Sequence, residues 1–318
     1  MSKKKIFLIG LGAMGVEYAK VLKALNVPFL AIGRSEKSVK NFKDKTGVLA
    51  VSGGINKDIV KENPEIKQAI IAVSVEELGK VTRKFIDFKI SSILIEKPAG
   101  LDGNDIKKTA KLAKDNKTKV YVAYNRRFYA SVDKAREYIK KDGGVLSFSF
   151  EFTELSNTIK SLPMPSSVKE EWFMANSSHV VDLAFFLGGK PKTLRAYTAG
   201  AGVIPWYSRG SIFAGAGVSE NGALFSYQAN WQSGGRWGVE IMTPKRRLIL
   251  RPLEKLFVQQ RGSFDIKEEI LEDDLDKTFK PGLYLEVKTF LSGKTENLIT
   301  IKEQAENMKY YRAIISGK

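Results

Sequence analysis

The stretch Lys3-Lys4-Lys5-Ile6-Phe7-Leu8-Ile9-Gly10-Leu11-Gly12-Ala13-Met14-Gly15 decides the fold of this chain. An apolar strand runs directly into Gly-x-Gly-x-x-Gly at the opening of a helix, the arrangement that cradles a dinucleotide. Gly10 permits the tight turn, Gly12 lets the backbone approach a pyrophosphate, and Gly15 allows the helix starting near Ala13 to pack closely on the strand. With Leu11, Ala13 and Met14 these residues form a loop whose free N–H groups, at the positive end of the helix, hold an anion. Val16, Ala19, Val21, Leu22 and Leu25 continue as an apolar helical face, and Val27-Pro28-Phe29-Leu30-Ala31-Ile32 reads as the next strand, so the unit is β-α-β. A basic start before an apolar run also suits a secretory signal peptide. Glu17 and Lys20 interrupt that run before any small-residue cleavage site, and the glycine spacing would then have no cause.

The end of the second strand bears on the nucleotide. An NAD site commonly carries an Asp or Glu about 20 residues beyond the glycines to hold the ribose 2′-hydroxyl. Here that place reads Gly33-Arg34-Ser35. No carboxylate repels a 2′-phosphate, Arg34 can stack on adenine and pair with the phosphate, and Ser35 adds a hydroxyl and a helix N-terminal amide. The reading predicts NADP(H) in preference to NAD(H). Its plain alternative makes Ser35 a helix cap and Arg34 a solvated loop residue.

A chain of 318 residues with 43% apolar content has room for two cores. It contains no cysteine and a single histidine. Disulfides, thiolate catalysis and cysteine-ligated metal are excluded, an ordinary histidine metal cluster is not expected, and the expected cofactor is organic. No apolar run has bilayer-spanning length and no internal repeat stands out, so the expectation is a cytoplasmic, globular protein. The net charge of +17 is spread among 35 acidic residues without a basic tail or an aromatic-basic tract. That pattern suits attraction of anionic small molecules better than nucleic-acid binding.

Further along, strands at Val48–Val51, Gln68–Ser74, Ser92–Pro98 and Lys119–Ala123 alternate with helices around Ser38–Asp44, through Lys84, and over Asp102–Asn116. Alternation of this kind predicts a doubly wound parallel sheet, with functional loops beyond the strand carboxyl ends. Past Tyr124 the texture changes. A helix around Ser131–Lys141 precedes strand candidates at Val145–Phe152, Thr193–Thr198, Ile212–Ala216, Ala223–Trp231, Trp237–Thr243 and Arg247–Leu250, with a hairpin turn at Asn221-Gly222. Helices return at Tyr284–Leu291 and Ile301–Ile315. The expected architecture is an α/β Rossmann domain over residues 1–123, followed by an α+β domain with a large, mainly antiparallel open sheet over 124–318.

Three further segments carry a resemblance: Glu96-Lys97-Pro98 at a strand end, Tyr124-Asn125-Arg126-Arg127-Phe128 after the last Rossmann strand, and His179-Val180-Val181-Asp182 with Leu187-Gly188-Gly189. In that order they resemble the Gfo/Idh/MocA oxidoreductases, typified by glucose–fructose oxidoreductase and inositol dehydrogenase. Lys280-Pro281-Gly282-Leu283-Tyr284 extends the likeness toward the C-terminus. The resemblance implies that Lys97 lies beside the nicotinamide and the substrate oxygen, with Pro98 fixing its loop, often through a cis peptide, and Glu96 orienting Lys97 or a cofactor group. It implies that His179 exchanges the hydroxyl proton as hydride moves. Their plain alternatives are a surface lysine and a satisfied core histidine. Val73, Ser74 and Trp172 fall at the cofactor positions. Tyr124, Asn125, Arg126 and Arg127 fall at the substrate edge, where one arginine can hold a phosphate while the other is structural. Asp182 is read as orienting its helix.

The chain departs from its relatives at Ala175, where sugar dehydrogenases of the family commonly carry an Asp, and Asn176 beside it is assigned to a sugar hydroxyl instead. Val73-Ser74 replaces a Pro-containing loop, and Leu78 stands where many relatives have His. The expected function is hydride transfer to or from a secondary alcohol or ketone carbon of a phosphorylated or nucleotide-linked sugar. Two competitors stay open: a catalytically silent NADP-binding regulator, and a reductase of a non-sugar C=N or C=C bond. The resemblance also implies a homodimer or homotetramer through the C-terminal sheet.

Overall fold

The computed structural model describes residues 4–318, so Lys3 of the opening stretch and the start of the first expected domain lie outside the described residues. The chain divides into two compact units, residues 1–125 with 277–306, and residues 126–276 with 307–318. The cut expected at 123/124 falls near the first crossing. It misses the return of 277–306 to the first unit, because the strand that effects that return is only two residues long.

The first unit runs β1 (Ile6–Ile9), α1 (Ala13–Ala24), β2 (Phe29–Ile32), α2 (Glu36–Thr46), β3 (Ala50–Val51), α3 (Lys57–Glu62), β4 (Gln68–Ile71), α4 (Val75–Asp87), β5 (Ser92–Glu96), α5 (Gly103–Asp115) and β6 (Lys119–Ala123). The strands β3-β2-β1-β4-β5-β6 pair in parallel in that spatial order, which is the doubly wound arrangement. β1 is buried at every position, as a strand with helices on both faces must be. The order reverses between β1 and β4, so the strand ends carrying Gly10 and Val73 flank the switch point where ligands of such sheets bind.

A 3-10 turn over Asn125–Phe128 leads into the second unit. There follow α6 (Ala130–Asp142), β7 (Ser147–Glu151), α7 (Ser156–Lys160), α8 (Ser166–Glu170), a π-helical turn over Phe173–Ser177 and α9 (Ser178–Gly188). Next come β8 (Pro191–Ala199), β9 (Ile212–Ser219), β10 (Leu224–Asn230), β11 (Gly238–Met242), β12 (Arg246–Leu250), β13 (Phe257–Gln260) and β14 (Ile266–Glu268). The sheet order is β14-β13-β12-β11-β7-β10-β9-β8, antiparallel throughout except for the parallel pair β7 and β10. The hairpin expected at Asn221-Gly222 joins β9 to β10, with Gly222 at φ 84°. Two strands at one end of this sheet were not legible in advance. β14 is exposed at all three positions, and β13 has only four residues with Val258 alone buried, so neither shows an alternating pattern long enough to read.

α9 is buried on nearly every side and packs on β7 and β11. An aromatic layer of Phe148, Phe150, Phe185 and Phe225 sits between that helix and the sheet. The chain closes with α10 (Asp274–Thr278), α11 (Leu283–Ser292), β15 (Ile299–Thr300) and α12 (Ile301–Ser316). β15 adds antiparallel to β6, and α11 packs on α1.

Candidate active site

The glycines of the first turn have separate roles. Gly10 sits at φ 97°, and a Cβ there would collide with the backbone of Ala72 and Val73. A Cβ on Gly15 would collide with the carbonyl of Gly10. Gly12 differs, because its missing Cβ faces open space, with nothing within 4 Å. Gly12 is also the N-cap of α1, so no side chain caps the helix, and the first turn carries no acidic residue. The first-turn amides, over Ala13 and Met14, therefore lack the side-chain partner that helices usually recruit. An open, uncapped N-terminus at a switch point fits the diphosphate of a dinucleotide.

At the end of β2, Arg34 is exposed and Gly33 packs against Leu11 and Ser38. Ser35 is the N-cap of α2, where its hydroxyl accepts from the Ser38 amide at 3.3 Å in a capping box. Glu36 turns to Ser52, whose hydroxyl donates to it. Ser74 caps α4 by position only, without a side-chain hydrogen bond, and Val73 lies against Gly10.

Glu96 ends β5 and accepts from the Tyr18 hydroxyl of α1 at 2.7 Å. Burial pushes its carboxyl up, against the pull of that hydroxyl, of Lys97 and Lys280, and of the Lys97 backbone N–H. The same burial, with Glu96 and Glu286 close by, raises the Tyr18 phenol. The Lys97–Pro98 peptide is cis and Ala99 follows at φ 80°, so the chain turns sharply at Lys97. The turn is held by the Ala99 amide donating to Glu96 O at 3.0 Å and by Gln304 Nε2 donating to Pro98 O at 3.2 Å. Gln304 also donates to the Tyr124 hydroxyl at 3.0 Å, and Asn125 Nδ2 donates to Pro281 O at 2.9 Å. Tyr124 and Asn125 thus brace the first unit from within. Lys280 was read from the sequence only as part of the family likeness and was given no place in the site. Only the return of 277–306 brings it near Glu96, and a cleft at the start of α1 is lined by Met14, Glu17, Lys45 and Lys280.

In the second unit, Arg127 and Asp182 form a two-pronged ion pair at 2.6 and 2.7 Å, with the carboxylate 2% and the guanidinium 10% exposed. Phe186 covers the guanidinium face of Arg127 at 4.6 Å. Arg127 is the structural arginine of the pair. Arg126 instead lies over the Trp237 ring at 4.8 Å. His179, buried on α9, has its ring 6.3 Å from that same indole. Trp237 is a second residue the sequence reading took only as a strand start.

Asn176 lies in the π-helical turn and donates to both Glu154 oxygens at 3.1 Å, while the Ser177 hydroxyl donates to Glu154 at 2.6 Å. Ala175, 6% exposed, sits in the same turn. Trp172 is buried edge-on against Trp206, and its Nε1 has no hydrogen-bond partner among the described residues. Among those residues no group of His, Asp or Glu is arranged to hold a metal, and no helix is long and apolar enough to cross a membrane.

Solved structures similar to the chain over nearly its whole length agree on the fold. Levoglucosan dehydrogenase in complex with NADH and levoglucosan is 17% identical, with 99% of this chain and 96% of that one covered at a TM-score of 0.78. An oxidoreductase from Agrobacterium radiobacter in complex with NAD+, L-tartaric acid and magnesium is 14% identical, covered to 99% and 96% at 0.79. UDP-N-acetylglucosamine 3-dehydrogenase from Acidithiobacillus ferrooxidans is 15% identical, covered to 100% and 98% at 0.73. No curated protein sequence matches the chain. Residues 4–124 match the oxidoreductase family GFO_IDH_MocA, described by its NAD-binding Rossmann fold. The Gly10–Gly15 turn and the Glu96-Lys97-Pro98 strand end both lie within that match, so the N-terminal domain of the chain is similar to the Gfo/Idh/MocA oxidoreductase family.

Proposed function

We propose that the protein is an NADP(H)-dependent oxidoreductase that moves hydride to or from a secondary alcohol or ketone carbon of a carbohydrate, one that is phosphorylated or nucleotide-linked. The observation that carries this reading is the uncapped N-terminus of α1 behind Gly12, in a chain whose Rossmann domain is similar to an oxidoreductase family. Sugar substrates are supported by the names of two proteins of the same fold, levoglucosan dehydrogenase and UDP-N-acetylglucosamine 3-dehydrogenase. The preference for NADP(H) is supported by exposed Arg34 following β2 in place of a carboxylate, although the first of these proteins is in complex with NADH.

In this reading Gly10, Gly12 and Gly15 with the amides around Ala13 hold the diphosphate, and Arg34 reads the 2′-phosphate. The bound nicotinamide supplies or accepts the hydride. Lys97 donates from Nζ to the substrate oxygen and His179 takes the hydroxyl proton in oxidation and returns it in reduction. The sharp turn at Ala99 fixes the Lys97 backbone, so its ammonium is aimed from a rigid base. The exposed face of the second sheet, with Tyr197, Ile212 and Leu224 on one side, is assigned to self-association as a homodimer or homotetramer, which sedimentation of the purified protein tests.

The deciding experiment measures nicotinamide absorbance against a panel of neutral, phosphorylated and nucleotide-linked sugars. Lys97→Ala and His179→Ala are each expected to reduce turnover about 10²–10⁴-fold while the cofactor still binds. Turnover of a C=N or C=C compound and of no sugar rejects the substrate class, and cofactor binding without turnover of any compound rejects catalysis.

A further inference from the structure

We infer that a notch at the edge of the first sheet, where β6 meets the start of α12, binds a small organic anion: an apolar body carrying a phosphate or a carboxylate. The site lies within the first unit, apart from the dinucleotide turn, and does not depend on the sugar-oxidoreductase reading.

The notch follows from the shortness of β15. That strand pairs with β6 only at Tyr121 and Val122, and the chain then leaves the sheet into α12 at Ile301. On that side the start of β6, at Lys119 and Val120, has no strand partner. A cavity of about 550 Å³ results, walled by α5, β6 and the junction of β15 with α12. Sites for small molecules have volumes of this order.

Two kinds of side chain line the cavity. Ala110 and Ala113 of α5, with Val120 and Ile301, form its apolar part, and the last three of these are buried. The charged residues of the lining are Lys111, Lys114, Lys119 and Lys302, all exposed, with no carboxylate among them. Lys111 and Lys302 each reach an acidic neighbour on their own helix, Asp115 at 2.7 Å and Glu306 at 3.9 Å. Lys114 and Lys119 form no ion pair among the described residues, and the hydroxyl of half-buried Thr118 makes no hydrogen bond among them. The first turn of α12 is occupied by its own cap, since the Thr300 amide donates to Glu303 at 2.9 Å and the Glu303 amide to the Thr300 hydroxyl at 3.1 Å. Recognition therefore falls to the side chains. An inorganic anion leaves the apolar part in water, and a neutral apolar molecule leaves the ammonium groups without a counter-charge, whereas an amphiphilic anion meets both. The dinucleotide is a different ligand. Its turn lies beyond the carboxyl end of β1, whereas the notch lies at the amino end of β6 in the same parallel set.

The test is calorimetric titration of the whole chain, with and without saturating NADPH, using octanoate, octyl phosphate, adenosine 5′-monophosphate, inorganic phosphate and octanol. At least one of the three organic anions is expected to bind about tenfold or more tightly than both inorganic phosphate and octanol, and to do so with NADPH present. Lys114→Gln combined with Lys119→Gln is expected to weaken that binding about tenfold. Lys107→Gln combined with Lys108→Gln, exposed positions of α5 outside the cavity, removes the same charge and is expected to leave it unchanged. Ala110→Leu fills the cavity with a good helix former and is expected to abolish binding while α5 stays folded. Tightest binding of octanoate assigns a carboxylate, of octyl phosphate a phosphate, and of the mononucleotide a phosphate on a nucleoside. Failure of all three organic anions to bind, octanol binding as tightly as they do, equal losses in the two lysine pairs, or displacement of the probe by NADPH overturns the inference.

Discussion

Arg127 and Asp182 show how a buried charge stays affordable: two short hydrogen bonds on one carboxylate, and an aromatic ring over the cation. Removing one partner strands the other, so Asp182→Ala is expected to cost about 3–5 kcal/mol in a denaturant titration. Asp142 is held the same way. Burial would push its carboxyl up, but the hydrogen bonds from Thr243 and Arg246 together outweigh this and hold it below the usual range. Its folded-state pKa lies below its unfolded one, so the stability it contributes is complete above the unfolded value near 4 and is lost as pH falls through the folded value. Acid titration of Asp142→Asn against wild type checks this: the stability difference is expected to shrink as the pH drops below about 4. Glu96 has the opposite sign. Its carboxyl is raised, so folding is opposed by its ionisation as pH climbs above the unfolded value. Glu96→Gln keeps an acceptor for Tyr18 and is expected to narrow the gap in stability between pH 4 and 8.

At the scale of an element, the turn from β1 into α1 separates packing from binding. Gly15→Ala drives a methyl into the Gly10 carbonyl, and its melting temperature is expected to fall by several degrees, about 2–4 °C per kcal/mol for a domain this size. Gly12→Ala places its methyl in open space and is expected to keep the melting temperature while weakening cofactor binding about tenfold or more. Loss of stability without loss of affinity in Gly12→Ala would place the cradle elsewhere. Arg34→Ala, on the neighbouring strand end, is expected to narrow the NADP(H) advantage by about 1.5–3 kcal/mol in paired titrations of the two cofactors. Ser35 contributes differently from its neighbour, since its hydroxyl is engaged in the capping box of α2.

For the whole molecule, the return of residues 277–306 is the feature with the widest consequence. It supplies α11 to the first unit, where Phe290 is 1% exposed and meets Tyr121 of β6 edge-on at 6.3 Å. Phe290→Ala is expected to destabilise that unit by about 3–5 kcal/mol. Hydrogen exchange would report it as lost protection along β6, 167 positions or more earlier in the chain (290 − 123 = 167).

Local pattern carried a large share of this protein. The glycine turn, the alternation of buried strands with helices, and the hairpin at Asn221-Gly222 are legible because strand burial, helix periodicity and glycine's positive φ act within a few residues. The family likeness of Lys97 and His179 is likewise a matter of short segments in order. Other features were decided only in three dimensions. The ion pair of Arg127 depends on Asp182, 55 residues away; Trp237 reaches His179 through a sheet register; Lys280 comes near Glu96 through a returning chain. Asn176 turned to Glu154 for the same reason. A sequence window records what a residue prefers beside its chain neighbours, whereas ion pairs, ring contacts and edge strands are chosen by groups that folding brings together from far along the chain.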